Sequence, residues 1–374
     1  MTELKPFIKW PWWKSQEIKF IKHLFPNNIN NYYEPFVGWG SVFFNIKAKK
    51  YFINDKSKDL INLYRILKSK KKKLFMAVLY NLIFTWKEIE KIVINNSDFF
   101  IDIYKNYQEK NISELNIKIE KFLETNINIL NKLLEQYFNY NISFLEQEIK
   151  KTIIRKIKRL KIIENKSWNK LLPQDILENI ETVFKWSLYM YVRYLYNNKN
   201  IYNFDDYLYT ALFFFIREYS YSWMFRFNSK GEFNVPYGWN SYNRKDFKKK
   251  IDYFSNQDLI NHLKKTEIYN LDFESFLKKT NPQSNDFIFL DPPYDTKFSS
   301  YDKNDFDKSD QKRLANYLIN NCKAKWMIVI KNTEFIFNLY NQKGINIQTF
   351  DKKYLVSFMN RNDKKVKHLI ITNY

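Results

Sequence analysis

Five glycines in 374 residues is a shortage. An average share of about 7% would give roughly 26, and left-handed turns depend on that residue. Cysteine is scarcer still: Cys322 stands alone, which excludes an internal disulfide and fits a reducing compartment. With only three histidines beside it, no zinc-like cluster can be drawn, and no metal is expected. No apolar run reaches the roughly 18 residues that cross a membrane; TALFFFI at 210–216 is cut short by Arg217. The opening MTELKPFIKW lacks the long apolar core of a signal peptide, so the expected location is the cytoplasm, with no membrane partner. Acidic residues are outnumbered as well, 40 against 62 basic, for a formal net charge of +22. A field of that sign attracts polyanions, and nucleic acid is the partner it fits best, although AT-rich coding accounts for part of the lysine excess.

What is present is ample for a folded core. Hydrophobic residues make up 45% of the chain, and its length has room for two domains. Residues 1–75 alternate strand and helix patterns: YYEPFVG as strand and turn, SVFFNIKAK as helix, YFIND as strand, SKDLINLYRILKS as helix. Residues 76–250 read as a mostly helical insert, with apolar positions at helical spacing in NISELNIKIEKFLETNINILNKLLEQYF, closing in the turn-rich RFNSKGEFNVPYG as a hairpin. Residues 251–374 resume the alternation through NDFIFLDPPY, SDQKRLANYLINNC, KWMIVIKN, TFDKKYLVSF and KHLIITNY. The lysine runs at 68–73 and 248–250 are solvated faces first, and phosphate contacts only second.

Two short stretches carry chemistry. Asp291-Pro292-Pro293-Tyr294 follows the apolar strand FIFL, where open α/β sheets bind ligands. A carboxylate, a proline-fixed carbonyl and an aromatic face suit a planar amine, and the alternative is a rigid strand-ending turn. Asp55 closes YFIND about twenty residues after the EPFVG turn, the spacing at which an acidic residue accepts from a ribose diol. A helix N-cap before SKDLINLY explains it equally well.

Together FIKWPWWKSQ, EPFVGWGSVFFN, NDKSKDLINLY, RFNSKGEFNVPYG, IFLDPPY and KVKHLIITNY resemble the Dam-type DNA adenine N6-methyltransferases, over the first 70 residues and nearly everything from 205 onward. The resemblance implies a Rossmann-like α/β sheet with helices on both faces and a helical DNA-recognition insert. It implies S-adenosylmethionine as methyl donor, no metal, double-stranded DNA as substrate and a cognate restriction endonuclease as a candidate partner. Trp10, Lys14, Glu34, Phe36, Gly38, Gly40, Asp55 and Asp291 are carried over as cofactor contacts, and Asp291 to Tyr294 as the catalytic element. Tyr221, Ser222, Met224, Arg226, Asn228 and Lys230 fall on the DNA-reading segment, where Arg226 reads a base edge or clamps a phosphate. Two other readings stay open: a catalytically silent nucleic-acid-binding protein, and an adenine methyltransferase acting on RNA.

The same resemblance exposes an anomaly. Trp12, Trp13, Trp39, Trp223 and Trp239 stand where the pattern places glycine. An indole in a ligand-hugging turn brings steric clash and, at positive φ, strain of about 1–3 kcal/mol. One cause would serve all five: UGA codons that the source reads as glycine, written here as tryptophan. A decayed cofactor loop is the competing explanation.

Overall fold

The computed structural model describes residues 4–7, 18, 20–108, 112–167, 169–293, 306–353 and 365–374. In chain order, strands β1 (Asn31–Glu34) and β2 (Lys50–Asn54) lead to helix α1 (Lys58–Lys68). The helices α2 (Lys72–Asn95), α3 (Ser97–Lys105), α4 (Ile112–Phe138), α5 (Ile142–Ser167), α6 (Pro173–Asn197) and α7 (Asp206–Tyr219) follow. Alternation then returns with α8 (Gln257–Lys264), β3 (Thr266–Tyr269), α9 (Phe273–Thr280), β4 (Phe287–Leu290) and α10 (Lys308–Asn320). The chain closes through β5 (Lys325–Lys331), α11 (Glu334–Tyr340), β6 (Asn346–Lys353) and β7 (Lys365–Thr372).

Two compact units result. One comprises Met1–Ser69, Trp223–Asn234 and Phe254–Tyr374, the other Lys70–Ser222 and Val235–Tyr253. Against the expected breaks after residues 75 and 250, the units change over after Ser69 and Tyr253, and 223–234 clusters with the sheet rather than with the helices.

The first unit is an α/β sheet of seven strands in the order β3-β2-β1-β4-β5-β7-β6. Neighbours from β3 to β5 pair in parallel, and β7 runs antiparallel to both β5 and β6. All four residues of β4 are buried, as a central parallel strand covered on both faces requires. Ile288 and Leu290, with Trp326, Ile328 and Ile330 two apart on β5, face a core shared with Phe276 and Leu277 of α9 and Leu314 and Leu318 of α10. On the opposite face Tyr32 and Tyr51 meet edge-on, and Phe43, Tyr64 of α1 and His262 of α8 complete the cluster. The period of two in the strands therefore sorts side chains between two helical layers.

One expected helix is absent. Residues 41–45 of SVFFNIKAK form a turn, with Phe44 N–H bonded to Gly40 O at 3.0 Å and Asn45 N–H to Val42 O at 2.8 Å. Val42, Phe43 and Phe44 are buried in succession, so there is no solvent-facing stripe for an amphipathic helix to present.

The second unit is helical. In α7 every residue from Leu208 to Tyr219 is buried, which accounts for TALFFFI as the centre of a bundle. Several charges buried there are paired: Lys185 donates to Glu90 at 2.5 Å and Glu181 at 2.6 Å, and Glu218 accepts from Lys250 at 2.6 Å. Among the described residues, no helix is long and apolar enough to cross a membrane.

Candidate functional site

Strand order puts the motifs together. The chain runs from β1 outward to β2 and β3 and returns to β4 on the other side of β1, so β1 and β4 flank the switch point at which open α/β sheets bind ligands. Register pairs Glu34 with Ile53, and Tyr33 with Ile288, so EPFVG, Asn54-Asp55 and Asp291-Pro292-Pro293 leave the sheet on one edge.

After β1 the backbone turns sharply. Gly38 and Gly40 adopt φ of 48° and 74°, a region that suits glycine, while Trp39 between them is not among the described residues with positive φ. A Cβ at Gly40 would stand 2.8 Å from both the Phe44 ring and the Tyr64 hydroxyl. At Gly38 a Cβ would meet nothing within 4 Å, so this backbone is open to close approach by a ligand. Tyr64 donates to Gly38 O at 3.1 Å, and Val37 N–H bonds Asn54 O at 2.9 Å. The turn is thus held from below and open above.

Asp55 is the latch of this turn. Its Oδ2 accepts Gly38 N–H at 2.9 Å and its Oδ1 accepts Ser57 N–H at 2.9 Å. The helix-cap alternative fails in detail, because these bonds close a local turn ahead of α1 and reach no amide inside the helix. Burial pushes the Asp55 carboxyl up, opposed by the N–H groups of Ser57, Gly38 and Lys56. Glu34 is buried and accepts the Tyr32 hydroxyl at 2.7 Å, so it braces the strand end. Phe36 leans on Phe273 and meets Phe306 edge-on at 5.5 Å, forming an aromatic wall.

Three residues that sequence reasoning did not single out complete the frame. Asn54, fully buried, donates to Pro35 O and Leu271 O and accepts Leu271 N–H at 2.8 Å, tying the ends of β1, β2 and β3 together. Asp272 caps α9 through Glu274 N–H and takes both arms of Arg313 at 3.1 and 2.8 Å. Burial alone would raise the Asp272 carboxyl, but the Arg313 fork holds it below the usual range. Gln311 of α10 donates to Pro293 O at 2.9 Å. An Asn closing an apolar strand was the only visible signal, in YFIND.

Asp291 is partly buried, Pro292 buried and Pro293 exposed, at the C-terminal end of β4. Trp10, Trp12, Trp13, Lys14 and Tyr294 lie outside the described residues. In the segment expected to read DNA, Tyr221 and Arg226 are exposed, and Arg226 Nε donates to Asn234 Oδ1 at 3.0 Å. Asn228 spends its amide on its own hairpin, donating to Glu232 at 2.8 Å and accepting from the Lys230 and Glu232 amides. Lys230 is left exposed at the tip. Trp223 and Trp239 adopt φ of 52° and 71°.

The family profile for D12 class N6 adenine-specific DNA methyltransferases matches residues 10–172 and 163–356. Type II methyltransferase M.CviBI of Paramecium bursaria Chlorella virus NC1A is 35% identical over 175 residues, 46% of this chain and 63% of that protein. Type II methyltransferase M.MjaIII of Methanocaldococcus jannaschii is 26% identical across 392 aligned positions that span the whole of both chains. A DNA adenine methylase of Haemophilus influenzae is 44% identical over 64 residues, 17% of this chain and 22% of that one.

Proposed function

The chain belongs to the D12 class N6 adenine-specific DNA methyltransferase family, and from that premise we propose that it methylates N6 of an adenine flipped out of duplex DNA, as the modification enzyme of a restriction-modification system. The observation that carries the reading is the convergence of the Gly38 turn, Asp55 and Asp291 on one edge of the sheet at its switch point.

The turn fits a nucleoside-bearing cofactor, because its open backbone at Gly38, its Asp55 latch and the Phe36 wall offer close approach, a carboxylate and an apolar face. Asp55, Phe36, Gly38 and Gly40 would hold S-adenosylmethionine, with Trp10 and Lys14 as further contacts and Glu34 bracing the strand beneath. The cofactor supplies an activated methyl group on a sulfonium. Asp291 and the Pro292 carbonyl accept the two N–H groups of the target amine, which favours pyramidal nitrogen and frees its lone pair for attack. Tyr294 stacks on the extruded base. Positioning by these rigid strand ends supplies much of the acceleration.

On the DNA side, Tyr221, Ser222 and Met224 enter the duplex, Arg226 reads a base edge or phosphate, and Asn228 shapes the loop that carries Lys230 to the backbone. The proposed location is the cytoplasm, where the DNA is, with a cognate endonuclease as partner. Transfer of labelled methyl groups to duplex DNA, to RNA of the same sequence and to neither separates the three readings. Label at N6 of adenine in DNA supports this one, label confined to RNA moves the substrate, and cofactor-independent DNA binding without label leaves the silent binder.

A further inference from the structure

The backbone distinguishes among the tryptophans. Among the described residues, seven non-glycine residues have positive φ: Asn28, Asn141, Asn203, Asn281, Ser222, Trp223 and Trp239. Four are asparagine and one is serine, small polar side chains that enter the left-handed region with help from local hydrogen bonds. The other two carry the largest side chain there is. Trp239 is the sharper case, because φ of 71° with ψ of −164° lies in the region that is essentially open to glycine alone. It follows Gly238, where a Cβ would stand 2.4 Å from the Tyr242 ring, so the preceding position of the turn leaves no room for a side chain. Trp223 follows Ser222, itself at φ 50°, and two consecutive left-handed residues are unusual for any pair lacking glycine. Trp239 is 41% exposed and has Lys156 Nζ over its ring at 4.5 Å, so partial burial and one cation–π contact offset only part of that strain.

Trp86 and Trp326 are the opposite. Trp86 lies within α2 and donates its indole N–H to Asn243 O at 3.3 Å, and Trp326 lies on β5, fully buried, donating to Leu318 O at 3.2 Å. Each fills a core that glycine would leave hollow. We propose that Trp223 and Trp239 are glycine in the protein made by its own cell, their codons being UGA read as glycine, whereas Trp86 and Trp326 are tryptophan encoded by UGG. Trp39 is not assigned by backbone conformation, since the left-handed residues of its turn are Gly38 and Gly40.

The gene's codons and peptide masses from the source cells test this together. UGA at 223 and 239 with UGG at 86 and 326, and peptides lighter by an indolylmethyl group at each of the first two sites, is the expected result. UGG at 223 or 239 overturns it, as does a native peptide that retains tryptophan there. A physical arm uses recombinant protein: W223G/W239G should unfold at higher urea than the tryptophan form, and an equal or lower midpoint removes the strain argument.

A second inference stands on a separate observation. Gln311 is fully buried, its Nε2 donates to Pro293 O and its Oε1 has no hydrogen-bond partner. A buried amide with half of its bonding capacity unused needs a reason to be there. The geometry points to Gln311 as a positioning residue that fixes the carbonyl two residues after Asp291, so that the strand end keeps its direction during the reaction. This rests on the methyl-transfer reading above. Gln311→Met keeps length and removes the donor; its kcat should fall about tenfold, the size of one neutral hydrogen bond, with cofactor and DNA affinities unchanged. Gln311→Glu should recover rate as pH falls and its carboxyl gains a proton to donate. Unchanged kcat in the methionine variant, or no recovery by the glutamate variant, overturns the role. Failure of the unaltered protein to methylate overturns the reading beneath it instead.

Discussion

Asp291 and Asp55 sit one strand apart on either side of β1, yet their surroundings differ. Asp55 is committed to the Gly38 and Ser57 amides, bonds that hold the Gly38 turn against the start of α1. Asp55→Asn keeps the shape and loses the charge, and should weaken S-adenosylmethionine binding by roughly 1–3 kcal/mol, the scale of a charge-assisted hydrogen bond, while DNA affinity holds. Calorimetric titration with cofactor measures this, and unchanged affinity would return Asp55 to a purely structural latch. If Asp291 acts on the amine during transfer, as proposed, Asp291→Ala should lower methyl transfer by several orders of magnitude with DNA affinity little changed. A variant that keeps a tenth of the rate would take Asp291 out of the reaction.

At the scale of elements, α8 is tied to the segment that follows the Gly38 turn. His262 packs against Phe43 and Tyr51 with ring centroids 4.4 and 4.2 Å away, and burial there pushes its imidazole down from 6.5 to about 4. A base whose folded pKa lies below its unfolded value stabilises the fold above the unfolded pKa, and that stability disappears as pH falls through the folded pKa. Between pH 6.5 and 4 the protein should therefore lose about 3 kcal/mol from this residue, at 1.36 kcal/mol per unit. Thermal melts across that window should flatten in His262→Phe, and a slope that survives the substitution would assign the acid sensitivity elsewhere. Helix α5 offers a different test. Lys151, Arg155, Lys158 and Arg159 are exposed at spacings of four, seven and eight, one stripe of the helix, with Arg155 over the Trp186 ring at 5.0 Å. If the stripe follows a DNA backbone, replacing all four by glutamine should reduce the slope of log affinity against log salt by roughly 3–4, about 0.9 per phosphate lost. An unaltered slope would make it a solvated face.

For the whole molecule, the literal sequence and the cell's own product are expected to differ. Trp12, Trp13 and Trp39 belong to the loops assigned to the cofactor, and Trp223 and Trp239 occupy backbone that favours glycine. Protein with all five tryptophans should bind S-adenosylmethionine weakly and methylate little. Replacing the five by glycine together should restore both, and single replacements should restore little, since neighbouring sites do not act additively. Side-by-side methylation assays decide it; equal rates would defeat the loop assignments. The net charge of +22 adds a further expectation, that DNA binding weakens steeply with salt whichever version is made.

The sequence by itself determined the α/β alternation, the helical insert and the motifs that end β1, β2 and β4, because apolar periodicity and strand-ending turn residues are local properties. It also marked the tryptophan anomaly, through composition and the places where it occurs. What only the tertiary structure decided is non-local. Residues 41–45 of SVFFNIKAK are a turn whose Val42, Phe43 and Phe44 are buried in succession, with Tyr51 of β2, Tyr64 of α1 and His262 of α8 around the Phe43 ring, a fact of packing that no single face of the segment reveals. Asn54, Asp272 and Gln311 matter through Leu271, Arg313 and Pro293, brought near by the pairing of β2 with β3 and by the crossover connections through α9 and α10. The backbone angles at Trp223 and Trp239 arise from the closure of their turns, and they turned a compositional oddity into a statement about which residue the fold can accept there.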